Sequence, residues 1–331
     1  MKNIWILAEQ KAGEVKTVSY ELLTRGLTLA EKSGRKLCAM IFGDKISEEG
    51  LNELIARGAE RVVAVEAPEL KHFLVEPYSG CMLDLIKKYE PEIILAAATS
   101  TGRTLMPYVA MTADAGLTAD CTELDIEAET GLLLQTRPAI GGNIMATIKC
   151  PEHRPQMSTI RPKSTPEASR QEGRTGEIIR LKAPAEVNKS RVSYDGFEPD
   201  TEEMNLQDAE RIVVVGRGIK TQANIKLARE LADLLGAALG ASREVIDRGW
   251  LSYPHQIGLS GKTVTPKLYI GIGVSGAIQH LAGMQTSECV IAINKDPEAQ
   301  IFHVADFGIV GDLFEVLPIL IEKLKRGEKI C

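Results

Sequence analysis

The sequence lacks the cysteine and charge patterns that define several classes of protein. No C-x-x-C pair occurs, and no cysteine lies at zinc-finger spacing from a histidine; the six cysteines are Cys38, Cys81, Cys121, Cys150, Cys289 and Cys331. We therefore expect reduced, mostly buried thiols and no bound metal. The formal net charge of −6 provides no basic stripe for phosphates, so we expect no nucleic-acid partner.

Long apolar runs are also missing. None approaches the roughly twenty residues that a helix needs to cross a bilayer. The first residues, MKNIWILAEQ, place one Lys before a short apolar segment, without the h-region and cleavage site of a signal peptide or the Arg/Ser-rich character of a transit peptide. We therefore expect a cytoplasmic protein that is not inserted in a membrane.

What the chain does contain is an alternation of short apolar runs with amphipathic segments. NIWILAE, KLCAMIFG, RVVAVEA and EIILAAAT are typical of strands, and EIILAAAT is apolar throughout, as in a strand covered on both faces. Helical segments lie between them; one ends at Gly34, and another begins at Ser47 with acidic residues in its first turn. This rhythm predicts a doubly wound parallel sheet.

A polar region separates this first α/β pattern from a second one that extends to the C-terminus. Four prolines lie between Cys150 and Glu167, and the acidic stretch SYDGFEPDTEEMNLQDAE follows later. Such a composition indicates an interdomain connection. The predicted fold class is α/β, with two doubly wound parallel-sheet domains at residues 1–195 and 208–331 and a linker at residues 196–207.

The stretch IGIGVSGAIQHLAG contains Gly271, Gly273 and Gly276 in G-x-G-x-x-G spacing. It follows the apolar run KLYI and precedes a predicted helix, where N–H groups and the helix dipole favour a phosphate. Asp296 lies 20 residues beyond Gly276, the place of a ribose-binding acid in nicotinamide-dependent folds. An NAD-dependent oxidoreductase is therefore one hypothesis, with His280 as its one candidate acid or base; a plain strand-to-turn crossing is the alternative.

Two further segments carry candidate binding residues. VVVGRG follows a predicted strand, and it is either a tight turn or a backbone cradle in which Arg217 faces an anion. GASRE places Ser242 and Arg243 after a short strand. There an arginine is either a solvated residue at a helix start or a guanidinium over a planar anion. A third functional hypothesis is a non-redox nucleotide-binding module on the N-terminal sheet, although TSTGRT lacks the P-loop pattern.

Longer stretches resemble the electron transfer flavoprotein alpha subunit family. In the last third they are GRGI, GASRE, QIGLSGKTVTPKLYIGIGVSGAIQHLAGM and INKDPEAQIFHVADFGIVGDLFEVLP. The N-terminal stretches ATSTGRTLMPYVA, TADCTEL and TRPAIGGNIMATI are similar to the same family, so the resemblance covers nearly the whole chain. It implies a C-terminal domain that binds FAD, and an adenine-nucleotide-hydrolase-like N-terminal domain that packs on a beta subunit.

The resemblance also implies which residues bind FAD. They are Arg217, Ser242, Arg243, Gln256, Ile257, Gly258, Leu259, Ser260, Ser275, Gly276, Ala277, Ile278, Gln279, His280, Asn294, Asp312 and Leu313. Three of them are expected to tune the flavin: Arg243 close to the ring, Ser260 with its hydroxyl at N5, and His280 donating to O2. These contacts stabilise the negative charge that develops on the ring during one-electron transfer, so no nucleophile or proton relay is required.

One departure from the family pattern refines this expectation. Leu259 and Ser260 stand where many oxidative members have Gln-Thr, so the hydroxyl is kept and the amide is lost. The pair is similar to anaerobic bacterial members, some of which bifurcate electrons from NADH with a second FAD in the beta subunit. The implied function is the FAD-binding alpha subunit of an obligate heterodimer with the beta subunit. It shuttles electrons between dehydrogenases, with an acyl-CoA dehydrogenase or another redox partner, and NADH-driven bifurcation is the finer expectation.

Overall fold

The structure, a computed structural model, describes residues 3–139, 144–185, 187, 190–196, 206–207 and 209–327. Two compact units, Met1–Phe197 and Glu198–Cys331, divide the chain. One contains a sheet of seven parallel strands and the other a sheet of five, so each unit has a sheet and a core of its own. Within the predicted linker, residues 197–205 lie outside the described residues.

The first unit is built around its seven-stranded sheet. Its strands are β1 (Ile4–Ala8), β2 (Gln10–Lys11), β3 (Glu14–Val15), β4 (Leu37–Gly43), β5 (Arg61–Glu66), β6 (Ile93–Ala97), β7 (Leu117–Cys121), β8 (Glu123–Ile126), β9 (Leu133–Pro138), β10 (Met145–Ile148), β11 (Gln156–Ile160) and β12 (Glu177–Lys182). Its helices are α1 (Val18–Ser33), α2 (Glu48–Ala56), α3 (Val75–Tyr89) and α4 (Ser100–Thr112). The order of the large sheet is β12-β5-β4-β1-β6-β11-β7, and every pair in it is parallel. Strands β8 to β10 form a separate antiparallel sheet.

The predicted alternation of strands and helices is confirmed in this unit. Strands β1 and β4 are buried at every position, because apolar layers cover both faces of the sheet. The Ser47 hydroxyl accepts from the Gly50 N–H at 3.1 Å and caps α2. Helix α1 ends at Gly34 in the left-handed conformation. Local capping signals and apolar periodicity therefore located these elements correctly.

One expectation about the proline-containing segment is wrong. Strand β11 lies inside that segment, is buried at every position and sits between β6 and β7, while β12 pairs with β5 at the edge of the sheet. Pro155 and Pro162 flank β11 without interrupting it, so their missing N–H groups break no bond of the ladder. This segment completes the first sheet instead of connecting two domains.

The second unit contains a five-stranded parallel sheet. Its strands are β13 (Arg211–Val215), β14 (Ala238–Ala241), β15 (Leu268–Ile272), β16 (Val290–Asn294) and β17 (Phe307–Val310), and its helices are α5 (Ile225–Leu235), α6 (Arg243–Asp247), α7 (Ile278–Leu281) and α8 (Leu313–Lys325). The spatial order β14-β13-β15-β16-β17 corresponds to 2-1-3-4-5 within the unit. In such a sheet the connections change sides between the first and third strands, and ligands bind beyond the carboxyl ends of the strands at that switch point.

Strand β13 shows how this sheet divides the core of the second unit. Val213 and Val215 pack on one side with residues of α5 and α8, while Ile212 and Val214 pack on the other side with Tyr269. The alternation buries both faces and leaves the ends of the strands for loops. Among the described residues of the chain, no helix combines the length and the apolar character needed to cross a membrane.

Candidate functional site

A cavity of about 920 Å³ opens at the switch point of the second sheet. The turns after β13, β14, β15 and β16 line it, together with residues 256–260 and the first residue of α8. Its volume is at the upper end of the range of small-molecule pockets, about 300–1,000 Å³. All the predicted binding residues except Gly276 and Ile278 line this cavity. The assembly of side chains from so many separate turns indicates a site for an extended ligand.

Two glycine turns touch each other at this switch point. The Gly216 N–H donates to the Ile272 carbonyl at 2.8 Å, and the Gly218 N–H donates to the Gly273 carbonyl at 3.1 Å. A Cβ on Gly216 would lie only 2.1 Å from the Gly273 oxygen. Glycine is therefore required at position 216 for the turns after β13 and β15 to meet. Arg217 lies in the first of these turns and lines the cavity.

Residues 256–260, which we call the cavity lip, form one wall. The Gln256 side-chain amide donates to the Ser260 Oγ at 3.0 Å, and the Tyr253 hydroxyl donates to the Ser260 carbonyl at 2.7 Å. Because the Ser260 Oγ accepts from Gln256, the hydroxyl can still donate its own proton to a ligand. The Leu259 side chain is 72% exposed on the same wall. The lip therefore offers one oriented hydroxyl beside an apolar surface.

His280 lines the cavity, but its ring nitrogens hydrogen-bond within the protein. Nε2 lies 2.7 Å from the Tyr269 hydroxyl, and Nδ1 lies 3.0 Å from the Ile257 carbonyl oxygen. A carbonyl only accepts, so Nδ1 carries the proton and Nε2 accepts from Tyr269. Burial lowers the pKa of His280 to about 4, which keeps the ring neutral at pH 7. The predicted donation from His280 to flavin O2 does not fit this arrangement, because it would break one of the two bonds.

Arg243 stands at the rim of the cavity as the first residue of α6. Its side chain is 72% exposed, and its Nε lies 3.3 Å from an Asp247 carboxylate oxygen one helical turn away. Such an exposed pair contributes little to stability. The guanidinium is thus placed to meet an anionic or planar ligand without weakening the fold. Ser242 precedes it, and its N–H donates to the Val215 carbonyl at 3.0 Å.

Asn294, at the end of β16, and Asp312, which precedes α8, also line the cavity. The Asn294 Nδ2 donates to the Val274 carbonyl at 2.8 Å, and its Oδ1 accepts from the Asp296 N–H at 3.0 Å. One Asp312 oxygen caps α8, and the other lies 3.7 Å from the Lys220 Nζ. Both side chains therefore hold turns in place, in addition to lining the cavity.

Sequence reasoning missed several charged residues of the lining. Lys220 and Lys295 bring cationic groups to the cavity, and Glu244 and Asp247 bring acidic ones. Lys220 follows directly on the GRGI turn, which was the one signal that pointed to it. The other three lie in helices or turns whose orientation toward the cavity depends on the tertiary fold.

The G-x-G-x-x-G spacing does not form a nicotinamide-type loop here. Gly271 lies inside β15, and α7 has only four residues. Gly276 has φ 81°, and a Cβ on it would lie 2.2 Å from the backbone nitrogen of Ile301. The Asp296 carboxylate accepts from the N–H of Glu298 at 3.0 Å, as part of an exposed turn. The spacing therefore reflects a close crossing of backbones, in place of a long phosphate-binding helix.

In the first unit, the corresponding edge of the sheet holds a buried carboxylate. Glu9 follows β1, and its side chain is 3% exposed. The Lys16 Nζ donates to one of its oxygens at 3.0 Å, and the Thr99 hydroxyl donates to the other. Thr99 also caps α4 by accepting from the Gly102 N–H at 3.2 Å. The TSTGRT segment thus begins a helix whose capping threonine is hydrogen-bonded to an anion of the protein itself.

The 2-1-3-4-5 sheet with a cavity at its switch point defines the second unit as an α/β domain of the nucleotide- and flavin-binding class. Residues 4–186 match the family model described as "Electron transfer flavoprotein domain", and residues 205–285 match "Electron transfer flavoprotein FAD-binding domain". The chain belongs to the electron transfer flavoprotein alpha subunit family, and FAD is the cofactor of its second unit.

Relatives that match nearly the whole of this chain support this assignment. The electron transfer flavoprotein subunit alpha of Thermoanaerobacterium thermosaccharolyticum is 48% identical over 326 residues, which cover 98% of each chain. The "Acryloyl-CoA reductase electron transfer subunit beta" of Anaerotignum propionicum is 40% identical, with 99% of this chain and 96% of the relative covered. The "Lactate dehydrogenase (NAD(+),ferredoxin) subunit LctC" of Acetobacterium woodii is also 40% identical, with 99% of this chain and 78% of the relative covered.

The residues of the cavity fit FAD. Its pyrophosphate is anionic, and the cavity presents cationic groups on Arg217, Lys220, Arg243 and Lys295. Its isoalloxazine ring is flat and partly apolar, and the lip offers apolar surface next to the Ser260 hydroxyl. The touching glycine turns leave backbone, without side chains, at the switch point. When bound, FAD supplies one- and two-electron redox chemistry, and the chain positions it.

Proposed function

We propose that this chain is the alpha subunit of a heterodimeric electron transfer flavoprotein that carries electrons between dehydrogenases and binds FAD in the cavity of its second unit. The observation that carries the proposal is the make-up of the lip. It presents a hydroxyl oriented by Gln256 and an exposed Leu259, beside a neutral and fully bonded His280. Such a wall positions and tunes a cofactor, and it needs no general acid or base.

The partner in this proposal is a beta subunit. The family to which the chain belongs implies such a partner, and we propose that the beta subunit docks on the first unit. The buried Glu9 supports this part, because its carboxylate accepts from Lys16 and from the Thr99 hydroxyl that caps α4, so the first unit already carries an anion of its own beside the start of that helix. The first unit then serves as a structural domain and not as a second nucleotide site.

We further propose that the heterodimer takes part in flavin-based bifurcation, with an acyl-CoA dehydrogenase or a similar enzyme as one redox partner. The name of the Acetobacterium woodii relative pairs NAD(+) with ferredoxin, and the name of the Anaerotignum propionicum relative specifies acryloyl-CoA reductase. The residues Leu259 and Ser260 agree with this proposal, since the lip lacks the amide of the Gln-Thr pattern. The cytoplasmic location expected from the sequence stays a prediction.

The test is to purify the chain after co-expression with its beta subunit and to count the nucleotides per heterodimer. We expect a yellow complex with a flavin absorption band. Two FAD molecules per heterodimer, with reduction by NADH, support bifurcation, whereas one FAD together with one AMP supports a simple carrier. A colourless complex, or a chain that binds NADH tightly by itself, would overturn the proposal.

A further inference from the structure

Three buried groups form a continuous hydrogen-bonded series beside the cavity. The Tyr269 hydroxyl contacts the His280 Nε2 at 2.7 Å, and the His280 Nδ1 contacts the Ile257 carbonyl at 3.0 Å. Tyr269 is 0% exposed, Ile257 1% and His280 6%. The series therefore joins the central strand β15, the segment around α7 and the cavity lip, away from water.

Only one placement of protons satisfies every group in the series. If the proton of the neutral ring were on Nε2, Nδ1 and the Ile257 carbonyl would face each other as two acceptors. Two buried acceptors in contact cost free energy, because neither regains the hydrogen bond that it had with water. With the proton on Nδ1, the ring donates to Ile257 and accepts from Tyr269. Burial raises the pKa of the Tyr269 hydroxyl, so it keeps the proton that it donates.

We propose that Tyr269 is a positioning residue for the cavity lip: it holds the proton of His280 on Nδ1, and that N–H fixes the Ile257 carbonyl and the lip that follows it. The inference rests on the proposed function in one respect, namely that the lip contacts FAD. His280 then acts through the position of Leu259 and Ser260, instead of donating to the flavin itself.

Backbone contacts on both sides of the series show which residues His280 keeps in position. The Leu259 N–H donates to the Gln279 carbonyl at 2.7 Å, and the Val264 N–H donates to the Gly283 carbonyl at 2.8 Å. Gly258 lies so close to this segment that a Cβ on it would be 2.8 Å from the Gln279 oxygen. The lip and the residues after it are therefore attached along residues 279–283, and the bond from His280 to Ile257 anchors the start of the lip. Losing that bond loosens the residues that face the cavity.

The test is Tyr269→Phe in the co-purified heterodimer, with Tyr78→Phe as the matched control. Tyr78 is also a buried tyrosine, and its hydroxyl donates to backbone carbonyls of Phe42 and Leu70 at 3.1 Å in the first unit. Both variants remove one buried hydroxyl, but only one of them touches the series. The first readout is the ¹⁵N spectrum of histidine ring nitrogens at pH 7, with the His280 signals identified by their loss in His280→Gln.

We expect wild-type His280 to show a protonated Nδ1 and an unprotonated Nε2, and Tyr269→Phe to move a measurable share of the proton to Nε2. We also expect hydrogen exchange in a peptide covering residues 256–264 to become about tenfold faster, and FAD to dissociate about tenfold faster, which corresponds to about 1.4 kcal/mol. Tyr78→Phe should leave all three quantities at their wild-type values. A purely structural loss of stability would not move the ring proton.

The proposal is overturned if wild-type His280 carries its proton on Nε2, a result that needs no variant. It is also overturned if Tyr269→Phe leaves the ring proton and the exchange of the lip unchanged. A wild-type complex without flavin would instead count against the proposed function. The ring-nitrogen and exchange measurements would still decide the role of Tyr269 in that case, because each compares the variant with wild-type protein in the same flavin-free state.

Discussion

Replacing Gly216 by alanine tests whether contact between the two glycine turns makes the cavity. The added Cβ would lie 2.1 Å from the Gly273 carbonyl oxygen and 2.6 Å from its carbonyl carbon, and both are backbone atoms that cannot rotate away. Ordinary contact begins near 3.4 Å, so the turns after β13 and β15 must separate by roughly 1 Å. We therefore expect Gly216→Ala to lose FAD.

The magnitude follows from the packing of the two turns. Forcing an extra methyl group into a close-packed contact costs about 1–3 kcal/mol. The Gly216 N–H also donates to the Ile272 carbonyl at 2.8 Å, and this bond stretches when the turns separate. If FAD binding loses the same free energy, the affinity for FAD falls by about five- to 150-fold.

The assay is the ratio of flavin absorbance to protein after gel filtration of the heterodimer, followed by titration with FAD. Gly236→Ala is the matched control, because Gly236 also lies in the second unit, but a Cβ added to it would meet no neighbouring group within 4 Å. Its φ of 59° makes alanine cost about 1–2 kcal/mol at the end of α5, away from the cavity. If both variants bind FAD with wild-type affinity, or if the control loses as much FAD as Gly216→Ala, the reasoning is refuted.

Two further predictions concern charge and protonation near the cavity. Arg243→Ala should lower the first reduction potential of the bound flavin by about 10–40 mV while FAD stays bound, since the exposed guanidinium is worth at most about 1 kcal/mol. Arg326→Ala, which removes an exposed ion pair to Glu322 at the end of α8 outside the cavity, should leave the potential unchanged in spectroelectrochemical titration; equal shifts would contradict the assignment. Burial lowers the pKa of His280 to about 4 from 6.5, so the unfolded chain takes up a proton at a higher pH than the folded chain. Stability should therefore fall by up to about 3 kcal/mol as the pH drops from about 6.5 to 4, and thermal melts of His280→Gln should show a flatter acid slope; parallel slopes would be evidence against a neutral, buried ring.

The fold was accessible from the sequence where local signals and tertiary structure agree. The apolar runs of β1, β4 and β6 predict buried parallel strands, and Ser47 predicts the start of α2, because period and capping chemistry are local properties. Strand β11 was not recognised, because its five residues lie among prolines and its burial depends on pairing with β6 and β7. A strand whose pairing partners lie far away in the sequence carries only a weak local signal.

The candidate site, too, was predictable from the sequence only where the signal is local. The glycine turns and the lip were found as motifs, and the structure brings them to one cavity. The place of the His280 proton was not predictable, because it depends on Tyr269, which lies 11 residues earlier in β15. A tyrosine within an apolar strand usually lies in the core, and only the fold reveals which group its hydroxyl contacts.

The buried carboxylate of Glu9 bears on which part of the chain is degraded first in a cell. The first unit supplies an anion to the capping hydroxyl of α4 from its own sequence, and we therefore expect its stability to change little when a nucleotide is added. The second unit gains stability from FAD by mass action, in proportion to the logarithm of free FAD over its dissociation constant. A chain made when flavin is scarce is therefore least protected in its second half, where local opening admits proteases. We therefore expect degradation to begin in the second unit, so that chains without FAD are removed while loaded ones persist.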